Sequence, residues 1–292
     1  MKKQKALPLL VLRKMMSLAN SDKDIAICWL LIGALFFAMR SCEYLITSAN
    51  ESSKRTKIVR LRNIIFKRKI GSIINHHSDD LASAELVIII FEFQKNKLRN
   101  KSVHMYKTED NLLNPVLAWA HTVQRLLRSI PSASGDTKVC EFWSGEKIIH
   151  IDASMVRSKL RAIVELIGEE ELGFRKDEVG LHSIRSGGAM AMFLSGVNVI
   201  IIQRVGRWLS QAFLEYIRDQ VDSFTMGVSQ KMLHYEKFHH LNAKEFEKDQ
   251  GVEGETSDDH ATKGDGSTHV PHTVHFSTAV TKGENNLSPR RV

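Results

Sequence analysis

Cysteine is scarce in this 292-residue sequence, which contains only Cys28, Cys42 and Cys140. No two of them stand in a Cys-x-x-Cys spacing, so the sequence predicts neither a zinc knuckle nor a disulfide framework. Few cysteines without a pairing pattern are typical of a protein from a reducing compartment. The cysteine content therefore does not favour a small disulfide-stabilised secreted domain.

Long apolar runs are also missing. The longest covers residues 25–39 and is interrupted only by Gly33, whereas a membrane span needs about 20 apolar residues. A buried core helix is the better interpretation. Residues 6–12 are too short for a signal peptide and lead to no small-residue cleavage site. We therefore predict no membrane and no secretion, with a location in the nucleus if the source is eukaryotic and in the cytoplasm otherwise.

Positive charge is abundant and unevenly distributed. The formal net charge is +8 and the pI is near 9.3, which favours a polyanionic partner, although a membrane surface would also attract such a chain. Residues 1–107 contain 20 Lys/Arg against 8 Asp/Glu (+12), and residues 245–292 contain 5 against 9 (−4). This pattern indicates a nucleic-acid-binding body followed by a solvated appendage.

Apolar periodicity predicts a mainly α fold with a small antiparallel β-sheet (α+β). An apolar content of 43% is enough to bury a sizeable core. Period-2 and β-branched stretches predict strands at residues 85–93 and 102–106, joined by a basic hairpin connection. The tail, 247–292, is polar and predicted to be disordered. Helical spacing predicts helices at residues 7–18, 23–37, 111–129, 153–172 and 219–246.

Residues 54–69 contain eight basic residues and no acidic one. Val59 and Leu61 alternate with Arg60 and Arg62, which predicts a strand with one basic face. Such a strand is either a solvated edge that discourages aggregation or a surface that follows DNA phosphates. We favour the phosphate surface because no acidic residue interrupts the run. The DNA-contacting candidates here are Lys54, Arg55, Lys57, Arg60 and Arg62.

The stretch from 181 to 218 carries the most specific pattern. His182 and Arg185 share a face at the start of a predicted helix. Trp208 follows Arg185 by 23 positions within Gly-Arg-Trp, and Tyr216 follows Trp208 by eight. This order resembles the C-terminal signature of the tyrosine recombinases, or phage-integrase family, which cut and rejoin DNA through a phosphotyrosine. The wording HSIRSGG…GRW…AFLEYIR is most similar to recombinases of eukaryotic mobile elements of the Crypton and DIRS kind.

The resemblance extends to two earlier positions. Arg40, followed by Glu43, ends the second predicted helix as a catalytic arginine does in that family; a helix-end salt bridge is the alternative. Lys95 matches the catalytic lysine of the hairpin turn, with Lys97 as second choice. The resemblance thus implies the catalytic set Arg40, Lys95, His182, Arg185, Trp208 and Tyr216, and we add Lys97, Arg99 and Arg207 to the DNA-contacting candidates.

These residue types suit phosphodiester transfer to a phenol. A tyrosine has a pKa near 10, so only about one part in a thousand is phenolate at neutral pH, and a base or a strongly positive site has to activate it. His182 suits proton transfer, while Arg40 and Arg185 match the charge on phosphate oxygens. Trp208 can donate one N–H, and Lys95 can protonate the departing 5′-oxygen. No metal or other cofactor is predicted, since cations already stand where charge develops.

The sequence departs from the family in two respects. The catalytic domain is predicted at residues 1–246, without the N-terminal clamp domain. The spacing from Trp208 to Tyr216 is one residue short, which turns a helical side chain by about 100°. Predicted partners are duplex DNA and other copies of the chain, a tetramer by resemblance, exchanging residues 219–246; no small-molecule ligand is predicted. A catalytically inactive DNA-binding remnant remains the main alternative, and a type IB topoisomerase-like enzyme is less favoured.

Overall fold

The computed structural model of the protein describes residues 4–47, 58–94, 99–210 and residue 214. The chain divides into two units, Met1–Leu233 and His234–Val292, and every described residue belongs to the first. The predicted helix at 219–246, the predicted tail at 247–292 and the boundary between them lie outside the described residues.

The predicted fold class, mainly α with a small antiparallel sheet, is confirmed. Strands β1 to β4 form an antiparallel sheet in the order β2-β1-β3-β4, and β5 and β6 form a separate hairpin. The helices are α1 (Leu9–Ser17), α2 (Asp22–Phe36), α3 (Pro115–Ser129), α4 (Ala153–Ile167), α5 (Glu169–Leu172), α6 (His182–Leu194) and α7 (Val199–Gly206). The strands are β1 (Ile64–Lys67), β2 (Ile73–Ile74), β3 (Leu86–Phe93), β4 (Arg99–Tyr106), β5 (Glu141–Trp143) and β6 (Ile148–His150).

Helix α2 forms the centre of the core, as its nearly uniform apolar character predicts. It begins after Ser21, whose hydroxyl accepts a hydrogen bond from the Asp24 amide at 3.1 Å. Helix α3 crosses it where α2 carries Gly33. A Cβ added to Gly33 would lie 2.8 Å from the Trp119 ring, so the absence of a side chain allows the buried indole to reach the α2 backbone.

The predicted strand pair is also confirmed. β3 pairs with β4 in antiparallel register, with Ile89 opposite Val103. β3 lies inside the sheet and is largely buried, whereas β4 is an edge strand on which Val103 is the buried residue. The hairpin connection at residues 95–98 lies outside the described residues, so both lysines assigned to it are placed by sequence alone.

Two predicted elements differ from the structure. The basic strand begins only at Ile64, because residues Leu61–Asn63 form a 3₁₀ turn in which the Asn63 side chain accepts the Arg60 amide at 2.9 Å. The predicted helix at 153–172 is interrupted at Gly168, whose φ of 97° ends α4 before the short α5 begins. The spacing of apolar residues in the sequence signals neither the 3₁₀ turn at Leu61–Asn63 nor the end of α4 at Gly168.

None of the helices formed by the described residues combines the length and apolar character needed to cross a bilayer.

Candidate active site

Two glycines allow α6 to approach its neighbours at backbone distance. A Cβ on Gly188 would lie 2.3 Å from the Leu35 carbonyl oxygen of α2, and one on Gly187 would lie 2.4 Å from the Leu7 carbonyl oxygen. Distances this short exclude any side chain without a backbone shift. The glycine face of α6 therefore packs against protein backbone, and this packing fixes where the preceding turn, with His182 and Arg185, meets the end of α2.

Arg185 connects the end of α2 to the end of α7. Its guanidinium donates to the carbonyl oxygens of Ala38 and Gly206, and its central carbon lies 4.1 Å from the centroid of the Trp208 ring. The residue is only 2% exposed. Ala38 stands two residues before Arg40, and Gly206 stands two residues before Trp208. The Arg185 side chain therefore brings together the segments that carry Arg40, Arg185 and Trp208.

The Glu43 carboxylate accepts hydrogen bonds from both the backbone and the side chain of Arg40. The carboxylate is fully buried and accepts the Arg40 amide at 2.8 Å on Oε2 and the Arg40 Nη1 at 3.2 Å on Oε1. The Arg40 side chain itself is 20% exposed. The helix-end salt bridge that the sequence left open as an alternative is therefore present, and it leaves part of the Arg40 guanidinium accessible from outside.

Arg207, predicted from sequence to contact DNA, points inward. It is 5% exposed and its Nη2 donates to Glu43 Oε2 at 2.6 Å, while Nη1 donates to the Phe37 carbonyl at 3.0 Å. The guanidinium carbon lies 3.6 Å from the centroid of the Phe91 ring. Burial lowers the pKa of Arg207, and the charge of Glu43 opposes that shift. These contacts direct its charge into the protein, away from a surface that DNA could follow.

The start of α6 is fixed by the first described residues of the chain. The His182 amide donates to Gln4 Oε1 at 3.1 Å, and the Leu7 amide donates to the Ser183 carbonyl at 2.9 Å. His182 is exposed, one turn before Arg185, as the three-residue spacing predicts. The segment at residues 4–7 thus lies against the backbone at the start of α6.

Trp208 folds back over the chain that precedes it. A Cβ on Gly206 would lie 1.5 Å from the Trp208 ring, so the indole occupies the space that a side chain at Gly206 would take. The ring is half-buried and packs against Ala189, Met190 and Ile202. The indole consequently covers Arg185 in this structure.

A second group of arginines, Arg60 and Arg62, lies at the turn before β1. Arg60 donates to Asp136 Oδ1 at 2.6 Å, and Arg62 donates to Glu92 Oε1 at 2.8 Å while also contacting Asp136. The hydrogen bond from Arg62 lowers the pKa of Glu92 and raises that of Arg62. The Arg60 and Arg62 side chains are 24% and 43% exposed, so both remain accessible although both have carboxylate partners.

The remaining predicted residues divide into two groups. Arg99 is exposed at the start of β4, with its guanidinium carbon 5.8 Å from the Phe93 ring centroid. The other group lies outside the described residues, so their positions relative to Arg185 remain predictions. It consists of Lys54, Arg55, Lys57, Lys95, Lys97 and Tyr216.

Sequence reasoning missed the inward role of Arg207 and the acidic partners of Arg60 and Arg62. Asp136 stands 74 positions from Arg62, and no local pattern signals such a pairing. It also missed Gln94, which is 5% exposed and whose Oε1 and Nε2 have no hydrogen-bond partner. Across the described ranges, no group of three or more His, Cys, Asp or Glu side chains could hold a metal ion.

No protein-family model matches the sequence, and no curated protein matches it. Among solved structures, this chain is similar to the XerH site-specific recombinase bound to its difH substrate in a pre-cleavage complex, with 13% identity and a TM-score of 0.46 over 86% of this chain and 55% of that chain. The chain is also similar to XerH in a post-cleavage complex with palindromic difH substrate. Here the identity is 14% and the TM-score is 0.49, over 78% of this chain and 54% of that chain.

The Tn1549 transposon integrase in complex with transposon right end DNA is also similar, with 10% identity and a TM-score of 0.38 over 76% of this chain and 66% of that chain. The chain spans about half the length of the two XerH structures. Any functional assignment therefore depends on the side chains of this protein.

Proposed function

We propose that the protein is the catalytic domain of a tyrosine recombinase, which cleaves and rejoins DNA strands through a covalent 3′-phosphotyrosine intermediate during integration of a mobile element of the Crypton or DIRS kind. The observation that carries the proposal is the Arg185 bridge. Its bonds to the carbonyls of Ala38 and Gly206 join the two segments that hold Arg40 and Trp208, at the helix end that presents His182.

The proposed reaction uses these groups in one displacement. The Tyr216 oxygen forms a bond to phosphorus and loses its proton, for which His182 is the suited acceptor. The phosphorus–oxygen bond to the 5′ side breaks, and Lys95 supplies the proton that the departing oxygen takes up. Arg40 and Arg185 balance the negative charge of the phosphate oxygens, and attack by a DNA 5′-hydroxyl on the phosphotyrosine reverses the step and rejoins the strands.

Trp208 has two roles in this proposal. Its indole carries one N–H donor and no acceptor, which suits a bond to a phosphate oxygen. In the structure its ring lies 4.1 Å from the Arg185 guanidinium, so a phosphate that reaches Arg185 has to displace the ring or bind at its edge. DNA binding is therefore expected to change the environment of Trp208.

The second candidate function is a DNA-binding remnant without turnover. The specific observation in its favour is the engagement of Arg185 and Arg207, which are 2% and 5% exposed and donate to backbone carbonyls and Glu43. Two cations held inside the protein stabilise the fold whether or not the reaction occurs. The two candidates share the duplex DNA partner and differ in covalent chemistry.

For both candidates we propose that the phosphate backbone is contacted by exposed arginines and by the lysine-rich segments. Arg60, Arg62 and Arg99 are accessible, and Lys54, Arg55, Lys57 and Lys97 extend the set from sequence. Assembly as a tetramer on paired sites, with residues 219–246 exchanged between copies, belongs to the same proposal, as does a domain boundary at 246. The predicted location follows from the DNA partner: the nucleus of a eukaryote, or otherwise the cytoplasm.

A trapping assay tests the proposal. The full chain is incubated with a nicked duplex carrying the DNA that flanks its coding sequence, and denaturing gels are examined for a protein–DNA adduct. We expect an adduct that is lost in Tyr216→Phe and retained in the matched control Tyr235→Phe. Saturable binding of the duplex without adduct in the unmodified protein would contradict the enzyme and support the remnant.

A further inference from the structure

Arg207 is the point at which four segments of the candidate site meet. Its side chain contacts Glu43 in the 3₁₀ turn after α2, the carbonyl of Phe37 at the end of α2, and the ring of Phe91 on β3. Its own backbone ends α7. Sequence alone suggested a DNA contact, but each of these partners lies inside the protein, so the residue calls for a different role.

The side chain of Arg207 shares its carboxylate with Arg40. Glu43 Oε2 accepts both the Arg207 Nη2 at 2.6 Å and the Arg40 amide at 2.8 Å, while Oε1 accepts the Arg40 Nη1 at 3.2 Å. The orientation of this buried carboxylate is therefore set from one side by Arg207. If that bond is lost, the carboxylate can rotate, and the position of the Arg40 guanidinium changes with it.

The backbone of Arg207 determines the position of Trp208. Arg207 adopts the left-handed conformation, with φ 57° and ψ 41°, which non-glycine residues rarely occupy. This turn reverses the chain so that the Trp208 ring folds over Gly206 and lies on Arg185. The bonds from Arg207 to the carbonyls of Phe37 and Val205, 3.0 and 3.1 Å long, stabilise that conformation from within.

We propose that Arg207 is a positioning residue for the candidate site: through Glu43 it fixes the guanidinium of Arg40, and through its left-handed backbone it fixes the indole of Trp208. The inference rests on the proposed function, because it assigns those two groups to one reaction. Arg207 touches neither DNA nor the reacting phosphate. Its contribution is to hold the Arg40 guanidinium and the Trp208 indole N–H in a fixed position relative to each other.

A planar fork is required for this role. Arg207 bonds to Glu43 with one terminal nitrogen and to two carbonyls with the other while its flat face lies on Phe91. A lysine keeps the positive charge but offers a single nitrogen that cannot stack on the ring. Arg207→Lys therefore removes the geometry and retains the charge. The matched control is Arg204→Lys, since Arg204 is exposed on the same helix, one turn earlier.

The first measurement does not depend on activity. The protein is labelled with ¹⁵N-arginine, and the Nε–Hε resonance of Arg40 is assigned by its disappearance in Arg40→Lys. We expect this resonance to shift or broaden in Arg207→Lys and to stay in place in Arg204→Lys. An unchanged Arg40 resonance in Arg207→Lys overturns the inference, whether or not the protein is an enzyme.

The second measurement separates positioning from binding. Affinity for the nicked duplex and the single-turnover rate of adduct formation at saturating duplex are compared in the same variants. We expect the rate to fall about tenfold or more in Arg207→Lys, because a displacement near 1 Å can cost about 100-fold, with the dissociation constant changed by less than about twofold. A purely structural role predicts equal losses in both, in proportion to the unfolded fraction.

Each combination of results has a defined meaning. A shifted Arg40 resonance with a reduced rate supports the inference, whereas a shifted resonance with an unchanged rate overturns it. If the unmodified protein forms no adduct, the proposed function fails, and the resonance alone decides whether Arg207 positions Arg40. If Arg207→Lys does not fold, Arg207→Gln is measured instead: it also removes the bond to Glu43 and leaves the direct contacts between Glu43 and Arg40 in place, and an unmoved Arg40 resonance there also overturns the inference.

Discussion

Two groups of arginines in this protein have the same chemistry and opposite surroundings. Arg185 and Arg207 are 2% and 5% exposed, and both donate to backbone carbonyls at the end of α2. Arg207 also donates to the buried carboxylate of Glu43. Arg60 and Arg62 are 24% and 43% exposed and pair with Asp136 and Glu92 near the protein surface. Arg185 and Arg207 are the inner arginines, and Arg60 and Arg62 are the outer arginines.

The difference in burial determines what each group can do. Removing one partner of a buried ion pair such as Arg207 and Glu43 costs about 3–5 kcal/mol. A buried carbonyl that loses its donor, as on removal of Arg185, costs about 1–3 kcal/mol, whereas an exposed pair contributes about 0–1 kcal/mol. The inner arginines therefore hold the geometry of the candidate site and cannot exchange partners cheaply. The outer arginines can release a carboxylate and accept a DNA phosphate with little change in stability.

The largest difference is expected from replacing one arginine of each group by methionine. Arg185→Met leaves the buried carbonyls of Ala38 and Gly206 without donors, at about 1–3 kcal/mol each, so we expect the free energy of unfolding to fall by about 4 kcal/mol. Arg60→Met is expected to cost about 1 kcal/mol or less. Urea unfolding of both variants measures the contrast, and equal losses would show that burial does not distinguish the two groups.

A second contrast uses glycines that lie beside the two groups. Gly188→Ala places a Cβ 2.3 Å from the Leu35 carbonyl oxygen, while Gly135→Ala places one at an ordinary 3.4 Å from Arg62 Cβ. Overpacking against backbone costs about 1–3 kcal/mol, and a tolerated Gly-to-Ala change stabilises by about 0.4–1 kcal/mol through the unfolded chain. Thermal unfolding should therefore move in opposite directions; a neutral Gly188→Ala would show that α6 can shift away from α2.

Acid should weaken the outer group through Glu92. The bond from Arg62 lowers the pKa of this carboxyl below its ordinary 4.5. Because the folded-state pKa is the lower one, the stabilisation is fully present above about pH 4.5 and is lost as the pH falls through the folded value. We expect the decline in unfolding free energy between about pH 5 and pH 3 to be shallower in Glu92→Gln, by less than about 1 kcal/mol.

The matched control for that titration is Glu146→Gln, since Glu146 is exposed in the β5–β6 turn. This control removes one exposed carboxylate and leaves the pair between Arg62 and Glu92 in place. A Glu92→Gln profile identical to the control would mean that the pair with Arg62 does not persist in solution.

The smallest effect on stability, with a clear effect on DNA binding, is expected from Asp136→Asn. Asp136 is 66% exposed and contacts both Arg60 and Arg62, so the variant should lose no more than about 0.5 kcal/mol of stability. If the outer arginines follow DNA, releasing them should raise duplex affinity at low salt and steepen the dependence of log affinity on log salt by about 0.9 for each added phosphate contact. An unchanged slope would show that the outer arginines do not contact DNA phosphates.

Much of the fold followed from local sequence. The apolar run at residues 25–39 predicted α2, and the β-branched run at residues 85–93 predicted β3 with β4 beside it. The residues at which elements end were harder to predict. In the sequence Gly168 resembles a glycine tolerated inside a helix, and only its φ of 97° shows that α4 ends there. The 3₁₀ turn at Leu61–Asn63 also depends on one side-chain bond from Asn63, which alternation of burial does not reveal.

The residue types of the candidate site were chosen from the sequence and their roles stay predictions, whereas the directions of the described side chains could not be predicted. The spacing of His182 and Arg185 and the pattern around Trp208 identified residues that the Arg185 bridge connects in space. The direction of a guanidinium depends on distant partners, such as Glu43 for Arg207, 164 positions away. Charge alone therefore selected Arg207 as a surface contact, and only its contacts with the Phe91 ring, the Phe37 carbonyl and Glu43 reveal that it points inward.

The first described residues have a practical consequence for handling the protein. The Gln4 side chain accepts a hydrogen bond from the backbone amide of His182, and the Leu7 amide donates to the carbonyl of the next residue, so a pull on the chain at residue 4 reaches the backbone at the start of α6. An affinity tag or crosslink placed there would disturb the hydrogen bonds at the start of the helix that carries His182. Purification handles and surface immobilisation are therefore better attached through a distant exposed residue, such as Lys147 in the β5–β6 turn.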